Sequence, residues 1–100
     1  MQLILFLVLH PTERWVFVHG DEKKLPGLEF TQRQLFWLSN ARGWYEKLSF
    51  ENFLSIRLHG IHSPGELRVN VVLQNRPEFA KDFNCPLGAA MNPSKKCDVW

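Results

Sequence analysis

The sequence predicts a mainly α-helical fold with one short β element, of the α+β class. Helix-capping residues precede two amphipathic stretches, at Thr31 and Ser49. Residues 66–73 form a β-branched stretch with near alternation of apolar side chains, which favours a strand. The length of 100 residues allows one small domain.

The composition and the net charge indicate which classes of partner this chain is expected to bind. The chain carries 12 Lys and Arg residues and 10 Asp and Glu residues, for a net charge of +2. These charges are interspersed, so neither a nucleic acid nor an acidic lipid is expected as a partner. The chain also holds eight Phe and four Trp, and so many large aromatic side chains indicate packing against a larger body.

Residues 1–18 form an apolar N-terminal segment whose structure the sequence leaves open. The apolar run from Leu3 to Leu9 is far shorter than the roughly 20 residues of a transmembrane helix, so no membrane-spanning segment is expected. No Lys or Arg precedes the run and no small-x-small cleavage site follows it, so it does not make a convincing signal peptide. A buried strand or a short apolar helix is favoured over a signal peptide, and a misplaced start or unspliced sequence is a third possibility.

The first clear helix follows a turn at 25–27. Thr31 and Gln34 have the spacing of a capping box, in which Thr31 caps the helix and Gln34 reaches back to it. Apolar residues then recur three positions apart, which is typical of a helix that faces a core. These residues are Leu35, Leu38, Ala41 and Trp44, and Phe36 and Trp37 widen the apolar face.

A second, shorter helix is expected from the Ser49 cap to about Leu58, with Gly60 ending it. A turn at 62–65 leads into the predicted strand at 66–73.

A third helix is expected after the strand. Asn75 is the predicted cap, Pro77 lies in the first turn and Glu78 completes a capping box. Phe79 and Phe83 are four residues apart and should pack on one side of this helix. The tail from residue 85 is rich in Pro, Gly, Ala, Asn and Ser and is expected to be irregular, pinned only by its cysteines and Trp100.

The second half of the chain carries many uncommon residues in a fixed order. They are His62-Ser63-Pro64-Gly65, Arg68-Val69, Leu73-Gln74-Asn75, Glu78-Phe79, Phe83-Asn84-Cys85-Pro86, Met91-Asn92-Pro93 and Lys96-Cys97-Asp98-Val99-Trp100. This string resembles the C-terminus of the neprilysin and endothelin-converting-enzyme family of zinc metallopeptidases. The resemblance extends upstream through Gly20 to Leu28, Gln34 to Leu38, Ala41 and Trp44.

The resemblance implies that residues 19–100 are the C-terminal piece of a helical, zincin-type catalytic domain, and that residues 1–18 diverge from it. It also implies an extracellular or cell-surface setting, peptide substrates and contact with the rest of the catalytic domain. That family holds zinc through an H-E-x-x-H helix and a later E-x-x-x-D helix, and neither motif occurs in this sequence. Zinc is therefore expected in the full-length family, and none is expected to bind this chain alone.

Two side chains match functional residues of the family that the chain resembles. His62 matches the histidine that stabilises the transition state, and Arg68 matches the arginine that grips a substrate carbonyl. Without the match, both would be read as ordinary surface residues. The chain departs from the family at Gly60, where an acidic residue is usual, and at Tyr45, where the family has a cysteine.

Other potential metal ligands are less convincing. His59 and His62 form an H-x-x-H pair, but Gly60 and Pro64 argue against a helix through it and no third ligand has suitable spacing. Pro11 likewise argues against a helix through His10 and Glu13.

The cysteines are candidates for disulfide bonds. By resemblance, Cys85 and Cys97 match family cysteines that bridge to parts of the protein outside this chain. Within the chain they are separated by 11 residues and can pair with each other or stay free.

Three functional hypotheses follow. The first is the C-terminal portion of a neprilysin-like zinc metalloendopeptidase, inactive by itself because the zinc-binding motifs are absent. The alternatives are a non-catalytic secreted binding module derived from such a peptidase, and a non-functional fragment.

Overall fold

Within residues 2–97 the chain forms five helices: α1 (Gln2–His19), α2 (Gln32–Arg42), α3 (Phe50–His59), α4 (Gly65–Gln74) and α5 (Pro77–Asp82). The computed structural model describes the backbone of residues 2–97 and the side chains of residues 8–97. Trp100, which the sequence analysis expected to pin the tail, lies outside the described residues. The mainly α-helical prediction is confirmed, and none of the described helices is long and apolar enough to cross a membrane.

The predicted strand at 66–73 is wrong, since these residues lie in α4 and residues 2–97 contain no strand. The choice of a helix over a strand follows from which apolar side chains of this segment are buried. Leu73 is 3% exposed, and Val69 and Val72 pack beside it, whereas Val71 stays exposed. Positions 69, 72 and 73 share one face of a helix, so tertiary packing selected the helical period over the local β preference of valine.

The start of α2 agrees with the sequence analysis. The Thr31 N–H donates to Gln34 Oε1 at 2.9 Å, and the Gln34 N–H donates to Thr31 Oγ1 at 3.2 Å, which completes the capping box. The helix ends at Arg42 with Gly43 as its C-cap, so Trp44 lies just beyond it.

The helix α3 also has the predicted caps. Ser49 Oγ accepts a hydrogen bond from the Asn52 N–H at 3.3 Å, and the Gly60 N–H donates to Ile56 O at 2.8 Å. No residue of α3 is buried. The helix is therefore held mainly by its ends and by local hydrogen bonds.

The predicted helix after residue 75 exists as α5, but its cap differs from the prediction. Asn75 is the C-cap of α4, where its Nδ2 donates to Val71 O at 2.7 Å, and Arg76 is the N-cap of α5. Glu78 accepts a hydrogen bond from Arg76 Nη2 at 3.0 Å and forms no capping box. Pro77 occupies the first turn as expected.

The core is centred on Trp37, which is 1% exposed. Its Nε1 donates to Asp82 Oδ2 at 2.7 Å, and its ring meets the Phe79 ring edge to face with centroids 5.8 Å apart. Phe79 and Phe83 contact each other as predicted, with centroids 4.9 Å apart. The cluster also contains Leu9 and Leu73, so α1, α2, α4 and α5 meet here.

The N-terminal segment is a helix, one of the structures that the sequence left open. Pro11 lies inside α1, so the expectation that this proline would prevent a helix is wrong. A proline removes one backbone donor from the ladder, and burial of Leu9 in the core helps to keep α1 in place.

Hydrogen bonds hold the irregular tail against the helices. Lys96 Nζ donates to Gln74 O at 2.7 Å, and the Cys97 N–H donates to Asn75 Oδ1 at 2.8 Å. Both contacts meet the C-terminal end of α4. The described part of the tail is thus attached by a lysine and by backbone groups.

Candidate functional site

His62 lies in the short connection between α3 and α4, with an exposed side chain. Gly60 ends α3 in an extended conformation, and Pro64, the N-cap of α4, begins the next helix. Because the connection is this short, the position of His62 depends on how the first turn of α4 is held.

Arg68 is in the first turn of α4, where its N–H donates to Pro64 O at 3.1 Å. Its guanidinium carbon lies 3.9 Å from the centroid of the Trp44 ring. This short distance indicates a cation–π contact, which restricts the orientation of a long side chain that would otherwise be free to rotate. The structure therefore brings both predicted site residues to the N-terminal end of one helix.

The segment 44–46 makes a second contact with α4, at Gly65. The Gly65 N–H donates to Glu46 Oε1 at 2.6 Å, across 19 positions of sequence. A Cβ at Gly65 would lie 2.3 Å from Trp44 O, so only glycine fits against this carbonyl. The first turn of α4 is thus tied to the segment after α2 by a hydrogen bond and a close backbone approach.

A shallow cavity of about 280 Å³ opens beside this junction. Its lining combines two carboxylate side chains with apolar and small residues. They are Glu46, Leu48, Ser49, Phe50, Phe53, Pro64 and Glu66.

The other candidate ligands of the sequence analysis do not gather at this site. His59 is the last residue of α3, and the extended Gly60 separates it from His62. Among residues 8–97, whose side chains are described, no group of three His, Cys, Asp or Glu residues is arranged to hold a metal ion. The described residues therefore do not fit a zinc ion.

Cys85 is half-buried and Cys97 is exposed, and within the described residues both are free thiols. The Cys85 N–H donates to Ala80 O at 2.9 Å, and its carbonyl accepts from Asn92 Nδ2 at 2.8 Å. These two hydrogen bonds hold the backbone of Cys85.

Sequence reasoning missed Glu46 and Gly65 as parts of the site, and it assigned Trp44 to the face of a helix. Glu46 has no local partner that would mark it, because its hydrogen bond depends on how two distant segments pack. Gly65 offered a signal, since a glycine directly after a proline often marks a turn or a close approach of two backbones.

Comparisons with known proteins agree with the helical fold. The model for peptidase family M13 matches residues 14–99. The chain is 47% identical over 87 residues to Neprilysin-2 of Drosophila melanogaster, which covers 87% of this chain and 11% of that protein. It is 39% identical over 88 residues to Neprilysin of Homo sapiens, covering 88% of this chain and 12% of that protein.

Similarity extends to endothelin-converting enzyme 1 of Rattus norvegicus, at 41% identity over 88 residues, 88% of this chain and 11% of that protein. Among solved structures, the Haemonchus galactose containing glycoprotein complex superposes with a TM-score of 0.83 at 40% identity. That match covers 92% of this chain and 16% of the solved chain.

The helical fold and these matches define a segment of a neprilysin-like metallopeptidase. The chain belongs to peptidase family M13, a zinc-dependent family. It spans about a tenth of the length of the curated relatives that it matches. The boundary between residues 18 and 19 stays a prediction.

Proposed function

We propose that this chain forms the C-terminal portion of the catalytic domain of a neprilysin-like zinc metalloendopeptidase that processes or degrades peptides. The observation that carries the proposal is the family match across 14–99, in which His62 and Arg68 occur at the N-terminal end of α4. Since the described residues do not fit a zinc ion, the metal is assigned to residues elsewhere in such a peptidase. The chain alone is expected to be inactive.

His62 is assigned to transition-state stabilisation. Attack on a peptide carbonyl places negative charge on its oxygen, and a positioned imidazole N–H stabilises that charge by donating a hydrogen bond. The exposed position of His62 before α4 leaves its ring accessible to a substrate.

Arg68 is assigned to substrate binding. The contact with Trp44 occupies one face of the guanidinium, and the N–H donors lie in the plane of that group. A fork of donors held in this way suits a carbonyl oxygen of a bound peptide. Arg68 would therefore contribute to positioning the peptide and His62 to the chemical step.

The remaining partner is the rest of the catalytic domain. Several large apolar side chains are almost fully exposed, among them Ile61 at 96% and Phe17 at 89%. Exposed apolar surface of this extent marks an interaction surface. As in neprilysin-like peptidases generally, we place the protein outside the cell or at its surface.

Residue roles are tested best in a chimera in which residues 14–99 of this chain replace the matching part of Drosophila Neprilysin-2. The assay follows cleavage of a quenched peptide with a hydrophobic residue after the scissile bond. His62→Ala is expected to lower kcat by about 100-fold or more, the usual effect of removing one oxyanion donor. Arg68→Ala is expected to raise KM by about tenfold.

Matched controls separate these roles from general damage. His59→Ala changes a histidine at the end of α3, and Arg57→Ala removes a guanidinium that lies 5.7 Å from the Phe53 centroid. Both controls should stay within about twofold of the unmodified chimera. A His62→Ala chimera with unchanged kcat would refute the assigned role.

The inactivity of the chain alone is tested on the purified 100-residue protein. We expect no stoichiometric zinc and no chelator-sensitive cleavage of the same peptide. Bound zinc together with such cleavage would contradict the proposal and would show that the chain supplies its own ligands.

A further inference from the structure

We infer that Glu46 is a positioning residue, which holds the first turn of α4 so that His62 and Arg68 keep their places. This inference rests on the proposed function of those two residues. Glu46 is assigned no contact with substrate, and acts through the backbone of Gly65.

The need for such a residue follows from how α4 begins. The first N–H groups of a helix have no partner within the helix, and Pro64, the N-cap here, makes no side-chain hydrogen bond. Glu46 Oε1 accepts from the Gly65 N–H at 2.6 Å and so takes the place of a local cap. Its negative charge also lies at the positive end of the helix dipole.

The steric fit at Gly65 makes this contact specific. Pro64 and Gly65 are both buried, and Trp44 O comes so close to Gly65 that a Cβ would lie 2.3 Å from it. The missing side chain lets the segment 44–46 approach the helix closely enough for the Glu46 carboxylate to reach the amide. Glu66, the next residue of α4, has an exposed side chain.

The same segment also holds Arg68, through the Trp44 ring 3.9 Å from the guanidinium carbon. The segment 44–46 therefore contacts α4 at Gly65 and at Arg68, which come before and after Glu66 in the sequence. Because α3 has no buried residue, it restrains this connection weakly. Release of the Glu46 anchor is therefore expected to move both Arg68 and the turn that carries His62.

The inference is tested first by NMR on the 100-residue chain, which needs no activity. The Gly65 N–H donates to Glu46 Oε1, so the Gly65 amide proton should shift upfield in Glu46→Ala and stay close to its wild-type position in Glu46→Gln. The Arg68 Nε–H resonance should show a ring-current shift from Trp44. This shift should be mostly lost in Glu46→Ala and largely kept in Glu46→Gln, whose side-chain carbonyl still accepts a hydrogen bond.

The second test measures kinetics in the Neprilysin-2 chimera. Glu46→Ala is expected to lower kcat/KM by about tenfold, and Glu46→Gln to recover most of that loss. The matched control is Glu66→Gln, which removes a negative charge from the first turn of α4. Its kcat/KM should stay within about twofold of that of the unmodified chimera.

The two tests separate failure of this inference from failure of the proposed function. If the Arg68 Nε–H and Gly65 amide resonances are the same in wild type and Glu46→Ala, the positioning role is wrong. An inactive wild-type chimera would refute the proposed function, and the NMR comparison of the unmodified chain with Glu46→Ala would still decide whether Glu46 holds α4. Equal loss of activity in Glu46→Ala and Glu46→Gln, with the Arg68 shift unchanged, would also overturn the inference.

Discussion

At the scale of single residues, Gly65 and Glu46 are inferred to place the two residues that resemble functional ones. In the proposed function His62 and Arg68 contact a peptide, and in our inference their placement depends on the Gly65 amide and the Glu46 carboxylate, whose N and Oε1 atoms lie 2.6 Å apart. On this inference chemical function and placement are divided between different residues, and the residues that determine placement have no motif of their own.

We predict that Gly65→Ala destabilises the chain by about 2 to 3 kcal/mol, because the new Cβ would meet a backbone oxygen that cannot move freely. Urea unfolding followed by far-ultraviolet circular dichroism measures the free energy of unfolding. The matched control is Gly43→Ala, where a Cβ would lie 3.4 Å from Asn40 O and the backbone is helical, with φ −61°. That control should be neutral or stabilising by up to about 1 kcal/mol, and equal losses in both variants would contradict the prediction.

A second prediction concerns the core tryptophan. Trp37→Phe should cost about 2 kcal/mol, because it removes the 2.7 Å hydrogen bond to Asp82 and leaves a gap in the core. Trp15→Phe is the control, since Trp15 is 45% exposed and stacks on His19 at the surface. Its free energy of unfolding should change by less than about 0.5 kcal/mol. The prediction fails if the two variants have the same unfolding midpoint.

At the scale of elements, the caps of α2 and α3 were predicted correctly and the cap of α5 was not. The capping box at Thr31 and the Ser49 cap depend on residues three positions apart, so they can be read from local sequence. The cap of α5 was wrong, because Asn75 ends α4 and Arg76 begins the next helix. The sequence did not predict a helix at 65–74. Asn75 was therefore interpreted as the start of a helix and not as the end of one.

Removing the cap of α2 gives a test at this scale. Thr31→Ala should destabilise the chain by about 1 kcal/mol, since it leaves the Gln34 N–H without its hydroxyl acceptor. Thr12→Ala is the matched control, because the Thr12 hydroxyl only donates to Val8 O within α1. Loss of that bond should change the free energy of unfolding by less than about 0.5 kcal/mol. Similar losses for the two threonines would show that the capping box contributes little.

At the scale of the whole molecule, the core is small and the exposed apolar surface is large. The core is built around Trp37, Leu73 and Leu9, whereas many large apolar side chains remain in contact with solvent. The most exposed are Phe17, Val18, Tyr45, Phe50, Leu58, Ile61 and Leu87. This balance agrees with a segment that packs against the rest of a catalytic domain.

We therefore predict that the chain alone binds a hydrophobic dye such as ANS, and that Ile61→Ser with Phe17→Ser reduces the binding. Because these side chains are 96% and 89% exposed, the double change should alter the free energy of unfolding by less than about 1 kcal/mol. In the Neprilysin-2 chimera the same change should lower the yield of folded protein, since the two side chains would then face the partner domain. If the chimera with both changes folds in full yield, the surface that carries Ile61 and Phe17 does not contact the partner domain.

By itself, the sequence determined the family, the mainly helical class and the helix caps at Thr31 and Ser49, because these depend on residue identity and short spacing. It also predicts roles for His62 and Arg68, through residues in register with a family motif, and these roles stay predictions. Tertiary structure alone decided that residues 65–74 are a helix, since burial of Val69, Val72 and Leu73 against the core outweighs the local preference of valine for strands. It likewise decided the hydrogen bond between Gly65 and Glu46, because a contact between residues 19 positions apart exists only once the two segments have packed.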